Sequence, residues 1–85
     1  MVFKDIREHK SDMLKKIGVA AKNFRQNILK ERGLDISLAT GYTMENISAF
    51  ERGLNNNLIY IAYLTERGFD LSLVVNKGYT YEVTE

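Results

Sequence analysis

One device, used three times, cuts this chain into short helical lengths. Glu31-Arg32-Gly33-Leu34, Glu51-Arg52-Gly53-Leu54 and Glu66-Arg67-Gly68-Phe69 all read Glu-Arg-Gly-apolar. A basic residue in a last helical turn faces the negative end of the helix dipole. Glycine just beyond it takes the left-handed conformation, and the apolar residue that follows packs back on the turn. Three such stops within 85 residues predict three helix C-termini, and therefore short packed helices rather than one long rod. The similar runs 30–38 and 65–73 share this cap and are not a duplicated unit, because the residues upstream differ.

Apolar spacing locates the helices between the stops. Met13, Ile17, Ala20 or Ala21, Phe24 and Ile28 recur at three- and four-residue steps, one face of a helix. Ser11 is the expected N-cap of that helix, with Asp12 in its first turn. Residues 1–10 are then an N-terminal extension, either a separate short helix or a continuation, and Gly18 weakens the pattern inside the helix. A second helix is predicted over 35–40, capped by Asp35, a third over 44–52, capped by Thr43, and a fourth over 58–67, capped by Asn57. Asp70 caps a short fifth helix over 71–76 that ends at Gly78.

The last residues, Tyr79-Thr80-Tyr81-Glu82-Val83, alternate aromatic and β-branched positions and predict a short strand. The alternative makes 71–84 a hairpin turning at Asn76-Lys77-Gly78. The expected fold class is mainly α: a single domain over 1–85, a compact four- to five-helix bundle with a short C-terminal β-strand at the head of the tail 79–85.

Several function classes have no chemistry to draw on here. There is no cysteine, and a lone His9 makes no metal site. No phosphate-cradling glycine loop is present, and Glu45 and Glu51 sit six apart on different sides of a helix, so neither an enzyme nor a cofactor is expected. No run approaches the about 20 apolar residues of a membrane span. The start MVFKDIREHK lacks a signal-peptide core, which predicts a cytoplasmic protein.

Net charge is only +1, but its distribution is uneven. Residues 1–32 carry nine Lys or Arg against four acids, and residues 33–85 carry three against seven. A basic first third suits nucleic-acid phosphates, and it equally suits a lysine-rich solvated helix.

The stretch 41–58, GYTMENISAFERGLNNNL, is the most specific motif. A glycine turn leads to a threonine N-cap, then to apolar Ile47 and Phe50 on one face, Glu-Arg-Gly and an asparagine loop. This pattern resembles the second half of the Cro/repressor-like (Xre-type) helix-turn-helix domain. The run 58–78 is similar to the fourth and fifth helices of phage-type repressors through Gly68, Phe69, Asp70, Leu73, Val74, Val75 and Gly78.

The resemblance implies a DNA-binding transcriptional regulator whose helix 44–52 lies in the major groove of double-stranded DNA. Thr43, Met44, Glu45, Asn46, Ser48, Ala49 and Arg52 are then the base-reading candidates. Asn46 pairs with adenine, Glu45 accepts from cytosine, and Met44 and Ala49 touch thymine methyls. Lys22, Arg25, Asn55, Asn56 and Asn57 are the phosphate candidates. Homodimerisation is expected through Tyr79, Tyr81 and Val83, since a lone strand needs a second edge.

Compared with the family pattern, the second helix is about one turn short. Gly33 falls where a polar residue usually stands, and Leu29 where an arginine usually stands. A helix-turn-helix fold that binds a protein partner instead of DNA is the alternative reading.

Overall fold

In a computed structural model, which describes residues 6–83, five α-helices follow one another: α1 Ile6–Asn23, α2 Gly33–Thr40, α3 Met44–Glu51, α4 Leu58–Glu66 and α5 Leu71–Lys77. No helix among the described residues is long and apolar enough to cross a membrane. Part of the expected N-terminal extension, and the last two residues of the tail, lie outside the described residues.

Helix α1 does not start at Ser11. The segment before it, rich in the helix formers Arg, Glu and Lys, contains nothing that stops a helix, so Ser11 and Asp12 lie within α1. Gly18 does not interrupt it either. A π-helical turn, Phe24–Leu29, continues α1 and ends at Lys30 in the left-handed region (φ 58°). Its wider i→i+5 turn shifts the buried stripe by one residue. Ile28, expected on the core face, is therefore exposed, and Leu29 packs on the core in its place.

Two of the three Glu-Arg-Gly stops end a helix as expected, and one of them also packs its apolar residue back. Gly53 and Gly68 are left-handed (φ 80° and 104°), and the amides after them, of Leu54 and Phe69, donate back to Ala49 O and Leu64 O at 2.9 and 3.0 Å. Phe69 packs into the core, whereas Leu54 stays exposed. The first stop is a start. Arg32 caps α2, Gly33 is its first residue, and Asp35 is no cap but the third residue, accepting from the Arg32 amide at 2.7 Å. The carboxylate that was expected to open the helix sits in its first turn instead, accepting from the Arg32 amide and guanidinium, so α2 begins two residues earlier than expected. Thr43, Asn57 and Asp70 cap α3, α4 and α5 through their side chains, as expected.

A single apolar cluster joins the helices: Ile17, Ala20, Ala21 and Phe24 meet Ile36, Ile47, Phe50, Tyr60, Leu64, Phe69 and Val74. Helix α1 packs against α3 and α5, and α2 against α3 and α4.

The expected C-terminal strand does not form. Tyr81 is left-handed (φ 56°), a conformation that no strand continues through. The tail instead folds back along α1. Asn23 Nδ2 donates to Thr80 O at 2.8 Å, and Asn27 Nδ2 donates to Tyr81 O at 3.0 Å. The Tyr81 ring meets Phe24 and Phe69 at 5.0 and 5.4 Å, and its hydroxyl accepts from the Asp70 amide at 2.9 Å. The backbone expected to lack an intrachain partner has three, since the Tyr79 amide also donates to Leu73 O at 3.2 Å. That removes the basis for dimerisation through Tyr79, Tyr81 and Val83, although Tyr79 and Val83 are exposed.

Candidate nucleic-acid interface

Helix α3 is held from behind and open in front. The turn Gly41–Thr43 delivers it from α2, and the Thr43 hydroxyl accepts from the Asn46 amide at 3.1 Å. Ile47 and Phe50 are buried, which fixes the helix rotation. Thr43, Met44, Glu45, Ser48 and Arg52 are exposed, and Asn46 and Ala49 are half-buried. All seven base-reading candidates thus lie off the buried stripe.

The back of α3 rests on α1 without an intervening side chain. A Cβ added at Gly18 would sit 2.5 Å from Phe50 O and 2.7 Å from Glu51 O, so the two backbones are in direct contact. At the next step, a Cβ at Gly53 would meet the Lys15 backbone at 2.8 Å. These two glycines let α1 lie against the C-terminal end of α3. Lys15 and Lys22, three residues before Gly18 and four after it, share its face of α1 and are exposed. They flank the α3 contact, which keeps Lys22 as a phosphate candidate and adds Lys15. The signal for Lys15 was present in the sequence as its spacing from Gly18.

Arg25, the other basic phosphate candidate, is withdrawn from any surface. Its guanidinium is buried and forks onto Glu51, Nε to Oε2 at 2.8 Å and Nη2 to Oε1 at 3.0 Å, while Nη1 donates to Glu31 O at 3.0 Å. With these donors committed inside the fold and the guanidinium buried, Arg25 is withdrawn from phosphate contact. The Glu51 hydrogen bonds raise its pKa further above the ordinary guanidinium value. Tyr60, whose ring packs on Phe50 at 4.9 Å, donates its hydroxyl to the same carboxylate at 2.5 Å. Burial first and Glu51 second raise its pKa well above the ordinary phenol range. This triad clips the π turn, α3 and α4 together. Sequence reasoning missed it, because residues 25, 51 and 60 share no local pattern.

A group whose pKa is raised in the folded state contributes stability that is complete below its unfolded pKa, and that contribution is lost as pH climbs from there toward the folded value. For Tyr60 the loss begins near pH about 10. Tyr63, whose pKa is raised by desolvation and by Glu31, acts in the same direction. Tyr60→Phe is therefore expected to flatten the alkaline fall in unfolding free energy above pH about 10 without abolishing it. Urea titrations across that range check this, and an unaltered alkaline limb would assign the fall to other groups.

The asparagine loop is mostly engaged in its own architecture. Asn55 Nδ2 donates to Asn46 O at 3.3 Å, and Asn55 Oδ1 accepts from the Asn57 amide at 3.1 Å. Asn57 Oδ1 caps α4 by accepting from the Tyr60 amide at 3.0 Å, while its Nδ2 donates to Asn46 Oδ1 at 2.7 Å. Asn55 and Asn57 are thus corrected from phosphate contacts to loop-builders, their side chains being spent on the chain itself. Asn56 remains exposed. The same bonds hold the side chain of Asn46 in one orientation on α3. No family model, curated protein or solved structure matches this chain.

Proposed function

We propose that the chain is a sequence-specific DNA-binding regulator of repressor type, in which α2, the turn 41–43 and α3 form a helix-turn-helix and α3 reads the major groove. One observation carries this reading. Helix α3 is anchored by Ile47, Phe50 and the Gly18 contact at its C-terminal end, so that its capped N-terminus, Met44, Glu45, Ser48 and Arg52 face outward on a rigid support. A reading helix needs this arrangement, since its N-terminal residues reach the base edges.

Asn46 is the sharpest probe. Its Oδ1 holds Asn57, so Asn46→Ala would loosen the loop as well as remove a base-pairing group. Asn46→Asp keeps an acceptor for Asn57, removes the amide donor and adds a negative charge, whose repulsion of phosphates falls on all duplexes alike and so cancels in a comparison with unrelated DNA. The target duplex comes from selection out of a random-sequence pool. On it, Asn46→Asp and Arg52→Ala should each lose about 1–3 kcal/mol of binding beyond their loss on unrelated DNA. Lys15→Gln with Lys22→Gln should weaken binding to all duplexes alike and lower the salt slope by about 0.9 for each phosphate no longer neutralised. Failure of the parent to prefer any duplex over random DNA would overturn the proposal. It would favour the protein-binding alternative, which the withdrawal of Arg25 from the phosphate set supports.

A further inference from the structure

We infer that Asn57 sets the base specificity of α3 without touching DNA. It fixes which way round the Asn46 carboxamide lies, so that Asn46 offers a donor without an acceptor and selects guanine. This choice of base rests on the reading-helix proposal above.

The polarity starts at the N-terminus of α4. A backbone N–H can only donate, so the Asn57 atom 3.0 Å from the Tyr60 amide is its Oδ1. The other end of that carboxamide, Nδ2, can only donate in turn. The Asn46 atom that it meets at 2.7 Å is therefore Oδ1. Asn55 is oriented in the same manner. Its Oδ1 takes the Asn57 amide at 3.1 Å, which leaves Nδ2 to hold the Asn46 backbone carbonyl at 3.3 Å. What remains of the Asn46 side chain for a ligand is Nδ2. Among the described residues it has no hydrogen-bond partner, and no unpartnered side-chain nitrogen or oxygen is buried, so this group opens to solvent.

That orientation changes the base expected from the residue type alone. Pairing with adenine needs a donor to N7 and, beside it, an acceptor for the N6 amino group. Here the acceptor is turned toward the α4 cap. Guanine presents two adjacent acceptors, N7 and O6, and asks for donors only. Thymine presents a single acceptor, and cytosine presents a donor that faces the Nδ2 donor. A carboxamide that nothing holds turns over and serves adenine and guanine alike.

Two substitutions at position 57 separate this role from that of a helix cap. Asn57→Asp keeps a strong N-cap and replaces the donor by an acceptor. Asn46 should then turn over, give Nδ2 to the new carboxylate and show Oδ1 to the groove. Asn57→Ser also keeps a strong cap, but its side chain is too short to hold Asn46 either way.

The duplex that the full chain selects from a random-sequence pool is varied at each base pair. The position at which Asn46→Asp changes the preferred base marks the Asn46 contact. There the parent should prefer guanine over adenine by about tenfold. Asn57→Asp should favour cytosine or adenine, whose edges carry a donor, and its added charge repels all duplexes alike. Asn57→Ser should discriminate by about threefold or less. Without DNA, side-chain amide hydrogen exchange followed by NMR reads the orientation itself. The Asn57 Nδ2 protons should be protected and those of Asn46 free, and Asn57→Asp should protect those of Asn46.

Protected Asn46 protons in the parent would overturn the assignment. So would a parent that prefers adenine or cytosine at the marked position, a preference that Asn57→Asp leaves unaltered, or a duplex in which Asn46→Asp marks no position. A parent without any duplex preference would overturn the reading helix and the choice of guanine with it, and free Asn46 protons would distinguish that failure from a reversed carboxamide.

Discussion

Glu51→Ala should lower the unfolding free energy by about 3–5 kcal/mol, because it leaves the Arg25 guanidinium buried without its partner. Small domains hold only about 5–15 kcal/mol in total, so the variant should sit close to unfolding at ordinary temperature. The large effect measures a stranded charge, not the net worth of the ion pair. Arg25 and Glu51 side chains are only 9% and 8% exposed, and their mutual bonds offset the desolvation that burial imposes on both. The triple variant Arg25→Met, Glu51→Leu, Tyr60→Phe removes every polar member of the triad at once. It should lie within about 1 kcal/mol of the parent or above it. Urea denaturation of the two variants checks the pair of expectations. Loss of less than about 1 kcal/mol in Glu51→Ala would mean that water reaches Arg25 and that the triad is not a dry clip.

Gly18→Ala should also be strongly destabilising, against the ordinary expectation for a helix interior. Replacing glycine by alanine in mid-helix normally gains about 1 kcal/mol. Here the new methyl would lie 2.5 Å from a backbone carbonyl oxygen of α3, which cannot rotate away as a side chain would. Overpacking of that kind costs about 1–3 kcal/mol or more, so the clash decides the sign. Relief requires α3 to move off α1, and any selected DNA preference should fall by about tenfold or more with it. Gly33→Ala is the control, since a Cβ there meets nothing within 4 Å. It should be neutral or slightly stabilising by thermal denaturation. Equal stability of the Gly18 and Gly33 variants would show that α1 and α3 are not in backbone contact.

The local signals in this chain were readable because they act within a few residues. Thr43, Asn57 and Asp70 each sit three residues before an amide that their side chains satisfy, and all three caps form. Gly53, Gly68 and Gly78 follow apolar periodic runs and close them in the left-handed region. The same local logic failed where two readings of one motif compete. Glu31-Arg32-Gly33 has the letters of a stop, but Asp35 three residues after Arg32 turns it into a start, and Lys30 takes the left-handed position instead.

By itself, then, the sequence determined a bundle of four to five short helices, three of the five expected N-caps and the buried stripe of α3, since each follows from spacing within one turn or two. Tertiary structure alone decided which polar residues remained available to a ligand. Arg25 reads as a surface cation until Glu51, 26 positions away, claims it, and Asn55 and Asn57 read as a polar loop until Asn46 does the same. Tyr81 reads as part of a strand until Phe24, Phe69 and the carboxamides of Asn23 and Asn27 hold it in place. A hydrogen-bonding group is satisfied by whatever the fold brings within about 3 Å, and that distance bears no relation to separation along the chain.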